Sequence, residues 1–382
     1  MPEKEIHIYV NIPDKTPNYA TIAEALVSVD GGMRAADTAN TSDAANASDA
    51  ANASDAAVEL NAVKELSSPE KHFPEEYSDI PPVVVHIGEG TYREKLVVTR
   101  PNMTFLGAGR DKTVLVYGQG AKEIMPDGTN RGTFRTASLR IDTHDFTARH
   151  LTVQNDAGFG HTVGQAIALY VDGDRNAFED CAFLSSQDTV FTAPLPLKEA
   201  KPGGFKGPGE HSPRVLGRHY FKNCYLRGDV DFLFGGGIVY YESCTVFSQK
   251  PGDRKPPESP DEEVIYGYIT AASTFEGLPY GYVFRDCRLI SDCPPASVYL
   301  GRPWREFAKT VFLHCEMGDH IHPLGWADWN KPHGHFDYAE YDSYGPGANP
   351  SARADFSRQL TEEESKEYTL EKVLQGWIPD YE

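Results

Sequence analysis

Phe221-Lys222-Asn223-Cys224 lies in the middle of the chain, and its phrasing recurs. Phe178-Glu-Asp-Cys181, Tyr241-Glu-Ser-Cys244, Phe284-Arg-Asp-Cys287 and Phe312-Leu-His-Cys315 repeat an aromatic residue, two mostly polar residues and a cysteine. The same structural slot is being revisited, and a recurrence of about 20 to 45 residues marks a solenoid whose repeats are one or two coils each. Between the slots lie short β-rich runs: Val83–Ile87, Val114–Tyr117, Ala166–Val171 and Ile238–Tyr241. Gly, Pro, Asn and Asp bound them, as strands joined by tight turns require. Helical periodicity is missing through this region. The reading is therefore an all-β parallel β-helix, with the cysteines stacked as small buried thiols in an internal ladder rather than as disulfides. The sixth cysteine, Cys293, stands outside the phrase, and the chain has no Cys-x-x-Cys pair to suggest a zinc or redox motif.

The remaining segments decorate this solenoid. Thr21-Ile-Ala-Glu-Ala-Leu26 reads as a short helix that caps the first coil. Residues 36–60 centre on an Ala-Asn-Ala-Ser-Asp-Ala repeat, too small and polar to build a core, and read as a flexible insert. Residues 193–216 and 250–263 are rich in Pro, Gly and charge and are expected to form long surface loops. Thr361 and Glu364 have the spacing of a capping box ahead of Tyr368, Leu370, Val373, Leu374 and Trp377. This predicts a terminal amphipathic helix over about 360–377. The whole chain, 1–382, is read as a single domain.

Composition excludes some roles. The chain has 36 Lys and Arg against 56 Asp and Glu, a formal charge of −20, so it lacks the basic balance of a nucleic-acid binder. No apolar stretch approaches the roughly 18 residues of a membrane span. Met1-Pro2-Glu3-Lys4-Glu5 lacks the basic and apolar regions of a secretory signal. The expectation is a cytoplasmic monomer, with a secreted protein whose leader has been removed as the alternative. The 13 histidines show no metal-ligand spacing, and neither metal nor cofactor is expected.

Four phrases carry candidate chemistry: Gly164-Gln165-Ala-Ile-Ala-Leu169, Ser186-Gln187-Asp188-Thr189, Asp229-Val-Asp231-Phe-Leu-Phe234-Gly235 and Leu300-Gly-Arg302-Pro-Trp304. Gln165 and Asp188 are 23 residues apart, about one coil. Asp188 and Asp231 are 43 apart, and the 193–216 loop accounts for most of the excess over a second coil. Equivalent positions on successive coils stack about 4.8 Å apart. Two carboxylates, two amides and an arginine are thus expected on one face. Each alone has a bland reading, since most loop aspartates simply form turns.

These phrases resemble the signature blocks of the pectin methylesterases (pectinesterases, carbohydrate esterase family 8). The family's Gln-Ala-Val-Ala-Leu is similar to Gln165–Leu169, its Gln-Asp-Thr-Leu-Tyr to Gln187–Phe191, and its Asp-Phe-Ile-Phe-Gly to Asp231–Gly235. Its Leu-Gly-Arg-Pro-Trp matches Leu300–Trp304 outright. Weaker likenesses include Gly325-Trp-Ala-Asp-Trp329. The chain departs from the pattern at Tyr170, Gly236-Gly237 and Thr270–Thr274. The resemblance implies a right-handed β-helix that hydrolyses the C6 methyl ester of galacturonate in methyl-esterified homogalacturonan or oligogalacturonides. Asp231 would be the nucleophile, Asp188 the acid and then the base, Gln187 and Gln165 the oxyanion donors, and Arg302 the partner of Asp231. Phe234, Trp304, Thr189 and Tyr170 are expected to contact substrate. The alternatives are a non-catalytic carbohydrate-binding β-helix, or an esterase of this fold acting on another ester. A polygalacturonate lyase would need a cluster of Asp ligands for calcium, which the sequence lacks.

Overall fold

Each aromatic-x-x-Cys phrase turns one corner of a coil. The structure is a computed structural model that describes residues 5–29, 80–252 and 264–379. Within these residues, parallel strands form three sheets of twelve, eight and seven strands, and from Val83–Ile87 through Glu316–Met317 chain-neighbouring strands fall in different sheets. That alternation is the parallel β-helix expected from the cysteine period. The aromatic is the next-to-last residue of a strand of the twelve-stranded sheet, and the cysteine precedes a strand of the eight-stranded sheet. Between them the residue before cysteine is left-handed: φ is 49° at Asp180, 54° at Asn223, 53° at Ser243, 54° at Asp286 and 53° at His314. Asp and Asn tolerate that region better than most residues, which explains the polar character of the slot.

The rings form a column. Phe178, Phe221, Tyr241, Phe284 and Phe312 stack with centroid separations of 4.6, 5.0, 4.4 and 4.4 Å. The thiols form a second column, all free and buried. Each donates to a carbonyl of the previous coil: Cys224 to Phe178 at 3.4 Å, Cys244 to Phe221 at 3.4 Å and Cys287 to Tyr241 at 3.5 Å. In the eight-stranded sheet, Val153, Phe183, Leu226, Val246 and Leu289 occupy one register row and are fully buried. Burying such rows removes large apolar areas from water, at roughly 25 cal/mol per Å².

The ends match their expectations in part. Ile22–Ser28 is helical, with a capping box between Thr21 and Glu24. The C-terminal capping box between Thr361 and Glu364 is also present. The single helix expected over 360–377 is instead three short pieces: Glu362–Ser365, the 3-10 turn Lys366–Tyr368, and Leu370–Val373. Thr369 breaks the run by taking an extended conformation and capping the last piece through Lys372 N–H. Strand Leu169–Asp172 begins later than the Ala166–Val171 run suggested. The insert at 36–60 lies outside the described residues, as does most of 250–263. No helix among the described residues is long and apolar enough to cross a membrane.

Candidate active site

The site forms on the seven-stranded sheet, where Leu169–Asp172, Val190–Thr192, Val230–Gly235, Gly267–Ala272 and Val298–Gly301 are successive strands. Val190 pairs with Leu233, which puts Asp188 and Asp231 at equivalent positions of neighbouring coils. Both are left-handed, with φ of 63° and 52°. The register shift between Val230 and Leu233 marks where the chain bends around Asp231. Non-glycine residues in this region cost about 1–3 kcal/mol and tend to gather at functional sites. Ala166 N–H donates to the Gln187 carbonyl at 3.0 Å, and Asp188 N–H to that of Val230 at 3.1 Å, stitching three coils together here.

Arg302 follows the next strand but one and forms a fork on Asp231, with Nε to Oδ1 at 2.7 Å and Nη2 to Oδ2 at 2.6 Å. Its guanidinium is itself sandwiched, 3.9 Å from the Tyr268 ring centre and 3.8 Å from that of Trp329. Burial raises the Asp231 carboxyl, and the charge and hydrogen bonds of Arg302 oppose that rise. Asp188 has no such partner. Burial, and then the neighbouring Asp231 charge, push it well above the usual carboxylate range, against a smaller opposing effect of Arg302. Both carboxyls are thus raised, Asp188 the further of the two, so Asp231 is the one that ionises first. Asp188 is 7% and Asp231 8% exposed, enough to be reached but not bathed.

Gln165 and Gln187 line an adjoining cleft of about 280 Å³, with Gly160, His161, Asp229 and Val230 among its other walls. Gly160 packs directly against Gln187: a Cβ on it would lie 2.7 Å from Gln187 Oε1 and force that side chain to move. The structure thus brings together the five polar residues expected to carry the chemistry.

The expected substrate contacts are largely corrected. Thr189 is fully buried, its hydroxyl donating to the Arg227 carbonyl at 2.9 Å, so it braces the turn from inside. Tyr170 and Phe234 belong to an outward-facing row, Tyr170–Phe191–Phe234, which would be open to a ligand if bare. Phe134 and Phe205 cover the row, making it a second apolar core. Gly209 comes so close to Tyr170 that a Cβ there would lie 2.4 Å from its hydroxyl oxygen. Trp304 sits at the margin of this cluster, 5.7 Å from Phe234, and stays partly exposed. His320 and His322 are buried, and burial holds His320 down at about 4.

Sequence reasoning missed Tyr268 and Trp329. The signal for Trp329 was its phrase: Trp326 bridges to Gly301, so Gly325–Trp329 is the coil that follows Leu300–Trp304.

The comparisons agree with this geometry. A profile described as Pectinesterase matches residues 50–195 and 214–377. Probable pectinesterase 8 of Arabidopsis thaliana is 32% identical over 287 residues, covering 73% of this chain, and the chain spans 64% of that relative's length. Among solved structures, pectin methylesterase PemA from Erwinia chrysanthemi superposes with a TM-score of 0.69 and 27% identity, over 99% of both chains. A pectin methylesterase in complex with a hexasaccharide matches equally, at 0.69 and 27%, again over 99% of each. With both halves of the coil stack matched, and the aspartates and arginine converging on one face, this chain belongs to the pectinesterase family.

Proposed function

We propose that the protein hydrolyses the C6 methyl esters of galacturonate in pectin, releasing methanol and leaving the acid. The observation that carries the reading is the pair of neighbouring aspartates, one forked by Arg302 and one buried without an arginine fork of its own. Asp231 attacks the ester carbonyl carbon through a carboxylate oxygen already free of its proton. Negative charge grows on the carbonyl oxygen, where the Gln187 and Gln165 amides offer N–H donors; removal of one such donor in other enzymes costs about 2.7–4 kcal/mol. The bond to the methoxy oxygen breaks as Asp188 gives up its proton, so methanol departs neutral. The ionised Asp188 then takes a proton from water, the resulting hydroxide attacks the acyl carbon, and Asp231 is released as carboxylate. Arg302 holds Asp231 as the carboxylate before it attacks and pairs with it again when hydrolysis of the anhydride releases it.

The partly exposed Trp304 supplies an apolar plane for a sugar face. The chain's likeness to a pectin methylesterase solved with a hexasaccharide supports a substrate of several units, polymer or oligogalacturonide. Methanol and acetate should be measured in one reaction on methylated, acetylated pectin. Methanol without acetate is the expected result. Acetate without methanol would move the assignment to another ester.

A further inference from the structure

The turn that carries both Gln187 and Asp188 is gripped by a side chain from two coils further on. Gln249 Nε2 donates to the Ser185 carbonyl at 2.8 Å and to Ser186 Oγ at 2.9 Å. These two serines immediately precede Gln187, and both are buried. Gln249 itself is absent from the walls of the cleft beside Gln165 and Gln187, so its contact is with the turn behind the site.

The reach depends on a glycine in the coil between. Leu184 pairs with Arg227, and Gly228 pairs with Ser248, so Gly228 stands between Ser185 and Ser248 in the stack. A Cβ on Gly228 would lie 2.7 Å from the Ser186 carbonyl oxygen and 2.2 Å from Phe232 Cβ. The missing side chain leaves the Gln249 amide a path across the intervening coil. Its backbone is tied to the same glycine, with Gln249 N–H donating to the Gly228 carbonyl at 2.8 Å.

Both ends of this strut are anchored. Beyond Gln249, Ser291 Oγ donates to the Ser248 carbonyl at 2.5 Å, and Asp292 Oδ1 accepts from Lys250 N–H at 2.6 Å. At the other end, Ser185 Oγ donates to the Ala166 carbonyl at 2.5 Å, next to Gln165, and Asp229 N–H donates to the Ser186 carbonyl at 3.0 Å. The held stretch leads directly into Asp188, whose backbone is left-handed with φ of 63°.

We propose that Gln249 is a positioning residue for the ester hydrolysis: it fixes Ser185 and Ser186 so that the Gln187 amide and the Asp188 carboxyl stay aimed at the reacting ester. This rests on the hydrolysis reading above. Without Gln249, a buried carbonyl and a buried hydroxyl must find new partners, and backbone that shifts to meet them carries Gln187 and Asp188 along. A displacement of about 1 Å at a reacting group can cost about a hundredfold in rate.

The test uses two variants of the full chain, with folding checked by circular dichroism. Gln249→Met keeps the length and loses the donors, and Gln249→Glu turns a carboxylate toward the Ser185 carbonyl. On highly methylated pectin, kcat should fall about tenfold or more in both, with KM within about threefold of wild type. In a Gln187→Ala background the loss caused by Gln249→Met should shrink by about threefold or more, because much of it passes through Gln187. Hydrogen exchange of the backbone amides over 185–189 should quicken about tenfold in Gln249→Met, with or without substrate. An unchanged kcat, a change confined to KM, a loss that stays whole in the Gln187→Ala background, or unchanged exchange overturns the proposal. Failure of the wild type to release methanol would instead remove the hydrolysis reading, and hydrogen exchange would still decide whether Gln249 holds the turn.

Discussion

The guanidinium of Arg302 lies over the Trp329 ring, 3.8 Å from its centre, while its opposite face meets Tyr268. Two aromatic planes therefore fix the plane of the fork that holds Asp231. A cation between rings is worth about 2 kcal/mol when desolvated, and 1.36 kcal/mol is a factor of ten in rate. Trp329→Ala should lower kcat by about tenfold or more with a much smaller change in KM, and Trp329→Phe should recover most of it. A change in KM alone would make Trp329 a sugar platform instead of a brace.

Asp188 must carry a proton to release methanol, so activity should fall on the alkaline side as that proton is lost. Asp188→Asn keeps the shape and removes the acid, and a loss of about 10²–10⁴-fold in kcat is expected. Steady-state rates across pH compare the two. If Asp188→Asn keeps the wild-type alkaline limb and rate, another group is the acid.

Stability should also depend on pH through Asp172, which burial and then the neighbouring Asp142 push up to about 6. A folded value above the unfolded one means that the native state binds more protons between about pH 4 and pH 6. Stability then falls as pH rises through that window and stays lower above it, by an amount on the order of 2–3 kcal/mol. Denaturant titrations of Asp172→Asn should show a shallower decline than wild type. Parallel curves would mean that Asp172 does not set this slope.

The thiol column gives a simple chemical check. All six cysteines are free and buried, and burial raises the thiols of Cys244, Cys287 and Cys315 well above their usual range. Ellman's reagent should find almost no reactive thiol in the native protein and six after unfolding in the absence of reductant. Fewer than six would mean that disulfides have formed.

The fold was legible because a coil returns to the same corner, and each corner needs the same residue types. The aromatic builds one column, a polar residue takes the left-handed turn, and a small thiol fills the space behind it. The polar core of the site was legible for the same reason, since Asp188 and Asp231 share a register position. What stayed hidden was contact made from elsewhere. Tyr170 and Phe234 face outward as strand alternation allows, but Phe134 and the distant Phe205 cover them, and no local pattern reveals a lid. Trp329 comes from the next coil and reaches Arg302 through a bend, with φ of 51° at Trp329 and 55° at Asn330, that spacing alone does not show. Thr189 sat in a functional phrase, yet its hydroxyl serves the turn beneath.

Methanol release from highly methylated pectin by the wild type and by Asp231→Ala, with folding of the variant checked by circular dichroism, tests the central claim most directly. The account expects release by the wild type and none above background from a folded variant. Equal release by both would contradict the assignment of Asp231 as the nucleophile.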